Sequence, residues 1–260
     1  MPYEHELEVA IDIAQSAGRF TLEHFGTDLE AERKGDGSPV TIADRGAEKL
    51  VRERLDEAFP DDGQLGEEFG EKEGAGRRRW IIDPIDGTQS FIRGVPLYGV
   101  LLALEDQGQP VVGVMCFPPL SETYWAATGG PAYRNGSVIR VADDTPLADA
   151  TLLSSDIKQN QYGAERFADF ECLLERVGRH RGWGDCYGYA LVASGRAEIM
   201  IDPLLNAWDI AAVLPVLEAA GGRFVGWNGE SGIHAGSGVG TTASLHDEVR
   251  AILRVPAGRA

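Results

Sequence analysis

Apolar side chains recur at helical spacings early in the chain, first as Leu7, Ala10, Ala14, Ala17 and Phe25, then as Ala43, Ala47, Leu50, Leu55 and Ala58. At 3.6 residues per turn each set falls on one face, so the spacing predicts two amphipathic helices. Trp80, Ile81 and Ile82 follow as a bulky run suited to a buried strand, and Pro84, which offers no N–H to a ladder, is expected to stop it. From Tyr98 to Val141 the pattern reads as a β-meander, with turns at 106–109 and at the hairpin signal Asn135, Gly136. The second half alternates: an extended segment near 151–154, a helix near 162–177, a small-residue helix near 187–194, a strand over 197–201 and a helix after Trp208. Gly236, Gly238 and Gly240 fail the spacing of a dinucleotide-binding loop and read as a surface turn before a strand. The outcome is a mixed α/β protein built in layers, without internal repeats or a low-complexity linker.

The candidate chemistry sits where that first strand ends. Asp83 and Asp86 lead from the apolar run into Gly87, so both carboxylates and the Ile85 carbonyl can face one cavity, and Gly87 lets backbone approach a ligand. Oxygen donors of this kind suit a hard cation such as Mg²⁺. Thr88 and the residues after it can start a helix, which would turn the N–H groups of Gly87 and Thr88 toward an anion. The plainer reading makes Asp83 a strand end and Asp86 a cap. Three other segments bear on the choice: Glu67 and Glu68 after a short extended stretch, Asp209 in the first turn of the helix that follows Asn206, and Lys34, which precedes Gly35, Asp36, Gly37, Ser38 and Asp44. Each alone reads as a cap or a solvated charge.

Taken together these segments resemble the inositol monophosphatase superfamily of Mg²⁺-dependent phosphatases. The matching signatures are Gly-Glu-Glu at 66–68, Trp-Ile-Ile-Asp-Pro-Ile-Asp-Gly-Thr at 80–88, and Trp208-Asp209 followed by Ala220, Gly221, Gly222. The resemblance implies an α-β-α-β-α sandwich of two subdomains, 1–145 carrying most metal ligands and 146–260 carrying Asp209 and the substrate pocket, with a boundary near 143–147. It implies two or three Mg²⁺ ions: Glu67, Asp83 and the Ile85 carbonyl on the first, Asp83, Asp86 and Asp209 on the second, and Glu67 on a weaker third. It further implies that Thr88, polarised by Asp44, orients the attacking water, that the amides of Gly87 and Thr88 cradle the phosphate, and that Lys34 lies near the metals. Homodimers are common in that superfamily.

Within it, 181–203 and the sequence around Trp208 look most like the histidinol-phosphatase branch. Asp185, Asp202 and Asn206 fall where that resemblance places the leaving-group pocket. Two carboxylates there favour a cationic alcohol, because a protonated amine gains charge-assisted hydrogen bonds, and Trp183 or Tyr187 offers an aromatic face. The other readings are an inositol-1-monophosphatase, another sugar or nucleotide monophosphatase and, more distantly, a non-catalytic Mg²⁺-binding regulatory protein.

Composition narrows the setting. At 260 residues the chain can bury a substantial core, and a formal charge of −17 disfavours nucleic-acid or anionic-membrane partners, which need basic patches. A small phosphorylated metabolite is the expected partner; bound cations would invert the local field for such an anion. No apolar run is long enough to span a membrane and no secretory signal opens the chain, so a cytoplasmic location is expected. Cys116, Cys172 and Cys186 are odd in number and widely spaced, which argues against a disulfide framework and a zinc site. There is no P-loop, no DxDx[TV], no Cys followed by five residues and Arg, and no HExxH.

Overall fold

The computed structural model describes residues 2–35, 39–155 and 158–257; Asp36, Gly37 and Ser38, in the segment after Lys34, lie outside the described residues. The chain runs through α1 (Glu4–His24), β1 (Glu32–Arg33), β2 (Pro39–Val40), α2 (Ile42–Ala58), β3 (Gly63–Gly66), β4 (Gly70–Lys72), β5 (Arg78–Asp86) and α3 (Thr88–Phe91). The meander follows as β6 (Gly99–Asp106), β7 (Gln109–Phe117), β8 (Glu122–Ala127), β9 (Tyr133–Arg134) and β10 (Ser137–Val138). Next come β11 (Thr151–Ser154), α4 (Gln159–Tyr162), α5 (Ala164–Leu174), β12 (Arg179–Arg181), α6 (Asp185–Ala193) and β13 (Ile199–Asp202). The last elements are α7 (Ala207–Ala211), α8 (Val213–Ala219), β14 (Gly222–Val225), β15 (Gly238–Thr242) and α9 (His246–Ile252).

Two sheets organise these elements, one of eight strands in the order β10-β9-β8-β7-β6-β5-β3-β4 and one of five in the order β12-β11-β13-β15-β14. Strand periodicity assigns each face to a layer. Trp80, Ile82, Leu102, Leu104, Val112 and Val114 pack against Leu7, Ala10, Ala14, Val51 and Leu55 of α1 and α2. Their neighbours Ile81, Leu101, Ala103 and Met115 point the other way, into a core shared with α6, α8, Leu153 and Met200. On the second sheet Leu152, Ile199, Ile201 and Val239 turn outward onto Phe170, Leu173 and Val249 of α5 and α9. The layers are therefore α-β-α-β-α, and the middle helices are covered on both sides by sheet.

Several sequence expectations are corrected. Pro84 does not end its strand: β5 runs on to Asp86, with the register moving from Asp83 opposite Leu101 to Asp86 opposite Gly99. Pro84 and Ile85 together face only Val100, so the strand carries a bulge, the one place inside a ladder where a missing N–H is tolerated. The helix expected near 162–177 forms as α5, and Gly163, at φ 73°, sets its start and separates it from the short α4 before it. Gly238 and Gly240 lie within the buried strand β15, not in a surface turn; a side chain at either would collide with the Tyr189 ring or hydroxyl. Gly236, at φ 67°, is the turn.

Gly113 of β7 is where the middle layer touches the first sheet, and a Cβ there would overlap the carbonyl of Ala212, between α7 and α8. Gly113→Ala is expected to lower unfolding free energy by about 1–3 kcal/mol, the usual cost of overpacking. Urea denaturation checks this, and an unchanged midpoint would show that the middle layer is not in close contact at that point.

Candidate active site and metal centre

The bulge in β5 decides the geometry of the centre. Three residues apart on a regular strand, Asp83 and Asp86 would point to opposite faces; the extra residue restores parity and turns both toward the middle layer. Asp83 helps to build its own kink, accepting the Ile85 N–H at 3.1 Å on Oδ1. Asp209 arrives from the opposite side on α7, where the Asn206 N–H donates to its Oδ2 at 2.6 Å. Carboxylate oxygens of Asp83, Asp86 and Asp209 all lie within 4.8 Å of one another.

Such a cluster repels itself. Asp83, 1% exposed, has its proton affinity raised well above the usual carboxylate range, by burial first and then by Glu67, Asp86 and Asp209. Asp86 is raised likewise, by burial and then by the Asp185 and Asp209 charges, although the Cys186 N–H donates to it at 2.6 Å. Burial also raises Asp209. A dense set of carboxylate oxygens with unsatisfied negative charge fits a hard divalent cation, whose ligands are oxygens and whose charge reverses each of these shifts.

Glu67 stands just past the end of β3. Its carboxylate is pushed up to about 7 by burial, against the lowering effect of Lys34, whose Nζ lies 2.7 Å from Glu67 Oε1 and 2.5 Å from Glu68 Oε1. Burial opposes protonation of that lysine, but the two carboxylates outweigh it and raise its pKa. Thr88 Oγ1 donates to the Ile85 carbonyl at 3.0 Å and lies 3.4 Å from Asp44 Oδ1. Asp44 is fully buried at the start of α2, where its Oδ2 accepts from the Thr41 N–H at 2.7 Å and the Thr41 hydroxyl at 2.6 Å. Gly87, at φ 83°, opens α3, and a Cβ there would press on the Leu97 carbonyl and on Asp185.

Beside the centre is a cavity of about 430 Å³, whose lining includes Asp86, Asp209, Asp185, Tyr189, Asp202 and Leu204. Asp185 is pushed up to about 6 and Asp202, 3% exposed, to about 7, in both cases chiefly by burial. Asp185 begins α6 at φ 52°, a left-handed conformation that Asp tolerates better than most residues, with its N–H held by Ser155 Oγ at 2.7 Å. Asp202 Oδ2 and Tyr189 Oη are buried without a well-formed hydrogen bond to the described residues.

Not every expected residue reaches this cavity. Asn206 is exposed at the N-cap of α7 and directs its donors to Asp209. Tyr187 packs edge-on against Phe117 and lies under the Arg196 guanidinium, while Trp183 is 44% exposed. Gln161 also lines the cavity, and neither it nor Tyr189 carries a signal in the sequence: Tyr189 lies in a run of small and apolar residues that marks only a buried helix.

The sequence pattern of the inositol monophosphatase family matches residues 3–255. A histidinol-phosphatase of Chlorobaculum parvum is 44% identical over 247 residues, 90% of each chain. One from Mycobacterium tuberculosis is 40% identical over 97% of this chain and 98% of its own. Among solved structures, the extragenic suppressor protein suhB of Bartonella henselae superposes with a TM-score of 0.91 at 28% identity, covering 96% of this chain and 99% of that one.

A pH dependence follows for protein stripped of divalent cations. Glu67 titrates near 7 when folded and near about 4.3 when unfolded, so between those values the folded state holds a proton that the unfolded state has lost. Asp83, Asp86 and Asp209 shift in the same direction. Stability contributed by these protonated groups is thus present at low pH and is lost as pH rises through about 7. The melting temperature of chelator-treated protein should fall over that window more steeply than that of Asp83→Asn. Equal slopes would mean that the cluster does not control the pH response.

Proposed function

The chain belongs to the inositol monophosphatase family, and from that premise we infer that it is a metal-dependent phosphomonoesterase whose substrate is histidinol phosphate. The observation that carries the choice of substrate is the second pair of carboxylates, Asp185 and Asp202, lining the same cavity as Asp86 and Asp209. A neutral polyol would leave both of them short of positive charge in a desolvated pocket. A protonated primary amine donates charge-assisted hydrogen bonds to them and restores their ionised form. The names of the two relatives at 40% and 44% identity agree with this reading.

In this reading Mg²⁺ is held by Asp83, Asp86 and Asp209, with Glu67 and the Ile85 carbonyl completing two or three ion sites. When bound, Mg²⁺ supplies charge neutralisation at the phosphoryl group and activation of water. The chain's own contribution is placement. With the Ile85 carbonyl taken up at an ion site, the Thr88 hydroxyl would turn its proton from that carbonyl to Asp44, 3.4 Å away, which would leave a lone pair to accept from the attacking water and aim it at phosphorus. The N–H groups of Gly87 and Thr88 face the phosphoryl oxygens, and Asp185 and Asp202 hold the ammonium of the leaving alcohol. Asn206, through Asp209, acts on the ion site and not on the substrate.

We assign the subdomains to 1–145 and 146–260, since the change of sheet falls between Val138 and Thr151. A cytoplasmic setting fits three free thiols and the absence, among the described residues, of any helix able to cross a membrane. The homodimer rests on the family resemblance alone.

The decisive assay is hydrolysis of histidinol phosphate and of inositol 1-phosphate by the same preparation with Mg²⁺. A higher kcat/KM for histidinol phosphate is expected, and preference for inositol 1-phosphate would overturn the substrate. Asp83→Asn and Asp209→Asn should each lower kcat/KM by roughly a hundredfold or more, because several kcal/mol of charge stabilisation is removed. Wild-type turnover in either would remove them from the ion site. Asp185→Asn should raise KM for histidinol phosphate by about ten- to a hundredfold, the worth of one charged hydrogen bond. It should affect a phosphate ester of a neutral alcohol less; equal losses on both would make Asp185 structural.

A further inference from the structure

Glu48 lies on α2 one turn after Asp44, and its carboxylate is wholly enclosed, at 0% exposure, beneath the turn that carries Glu67. Oε2 accepts the Glu68 N–H at 2.7 Å; Oε1 accepts the Phe69 N–H at 3.2 Å and the Arg52 Nε at 2.7 Å. Arg52 reaches further along the same turn and donates to the Gly70 carbonyl at 2.5 Å. Three successive residues after Glu67 are thus tied to one buried ion pair. On the other side the Glu67 N–H donates to the Ile82 carbonyl at 3.2 Å, next to Asp83 on β5.

Gly66 accounts for how the carboxylate gets there. A Cβ at 66 would overlap all three atoms of the Glu48 carboxyl group, so the glycine of the Gly-Glu-Glu segment is an opening for Glu48. A buried glutamate whose only task was to pair with Arg52, four residues along its own helix, would need neither this opening nor the two N–H donors of the turn. A turn with its amides bound from below has little freedom, and the side chain it displays has a fixed origin.

We propose that Glu48 is a positioning residue for Glu67: with Arg52 it locks the 66–70 turn so that the Glu67 carboxylate is presented to the Asp83 side of the ion site. The proposal rests on the reading of Glu67 as a carboxylate that holds metal. Lys34 acts at the far end of the Glu67 side chain, whereas Glu48 acts on the backbone from which it springs.

The test is calorimetric titration of Mn²⁺, without substrate, into full-length wild type, Glu48→Gln, Arg52→Met, Glu67→Gln and the Glu48→Gln/Glu67→Gln double variant. Glu48→Gln is isosteric but sets an amide NH₂ against donors it must accept from. It should weaken Mn²⁺ binding by about 10- to 100-fold, the range for groups that orient a metal-holding side chain. Arg52→Met should act in the same direction. In the Glu67→Gln background, Glu48→Gln should add less than about a twofold loss, because the two residues act as one unit. A purely structural Glu48 would weaken binding by the same factor in both backgrounds, and that result overturns the proposal, as does wild-type affinity in Glu48→Gln. Should Glu48→Gln fail to fold, unchanged affinity in Arg52→Met, whose side chain is partly exposed, overturns it instead. Wild-type affinity in Glu67→Gln would remove the ion-site reading, and the proposal with it.

Discussion

The crowding of like charges at one buried point is the constraint on which the rest of this molecule depends. Asp83, Asp86 and Asp209 bring carboxylate oxygens within 4.8 Å of one another, with Glu67 and Asp185 close enough to raise their proton affinities further. Two unit charges 4 Å apart at an effective dielectric of about 20 repel by about 4 kcal/mol, and nothing apolar nearby relieves that. Protons or cations that share the space relieve this repulsion. The rigid setting follows: the carboxylates are delivered by a bulged central strand, a capped helix and a hydrogen-bonded turn, so the cluster cannot relax by spreading apart.

Layering makes that delivery possible. Residues of β5 alternate between the outer helices and the middle layer, and the bulge at Pro84 and Ile85 breaks the alternation once, so that two carboxylates emerge on the same side. The middle layer returns Asp209 to them on α7, and α6 supplies both the Cys186 N–H that holds Asp86 and the Asp185 carboxylate beyond it. Asp86, Asp185, Asp202 and Asp209 therefore line one cavity, and in the proposed reading substrate charge and metal charge would be met by one continuous set of acids.

What was legible in sequence was whatever depends on local pattern. The two N-terminal helices, the meander and its Asn135-Gly136 hairpin follow from spacing and turn chemistry, and the tertiary grouping of Asp83, Asp86 and Asp209 was expected from motif resemblance. What escaped depends on distant partners. Pro84 reads as a stop because the ladder-free position of a bulge is set by the pairing strand. Gly238 and Gly240 read as loop because the reason for them, Tyr189, is some fifty residues away in sequence. Glu48 carries no signal of its own in the sequence, because the turn it holds is visible only once β3 lies against β5.

The most direct measurement of the central claim is an anomalous difference map from crystals grown with Mn²⁺ in place of Mg²⁺. The account predicts at least one strong peak among the carboxylates of Asp83, Asp86 and Asp209, lost in Asp83→Asn crystals. A map with no peak there at saturating Mn²⁺, or with its strongest peak elsewhere, would contradict it.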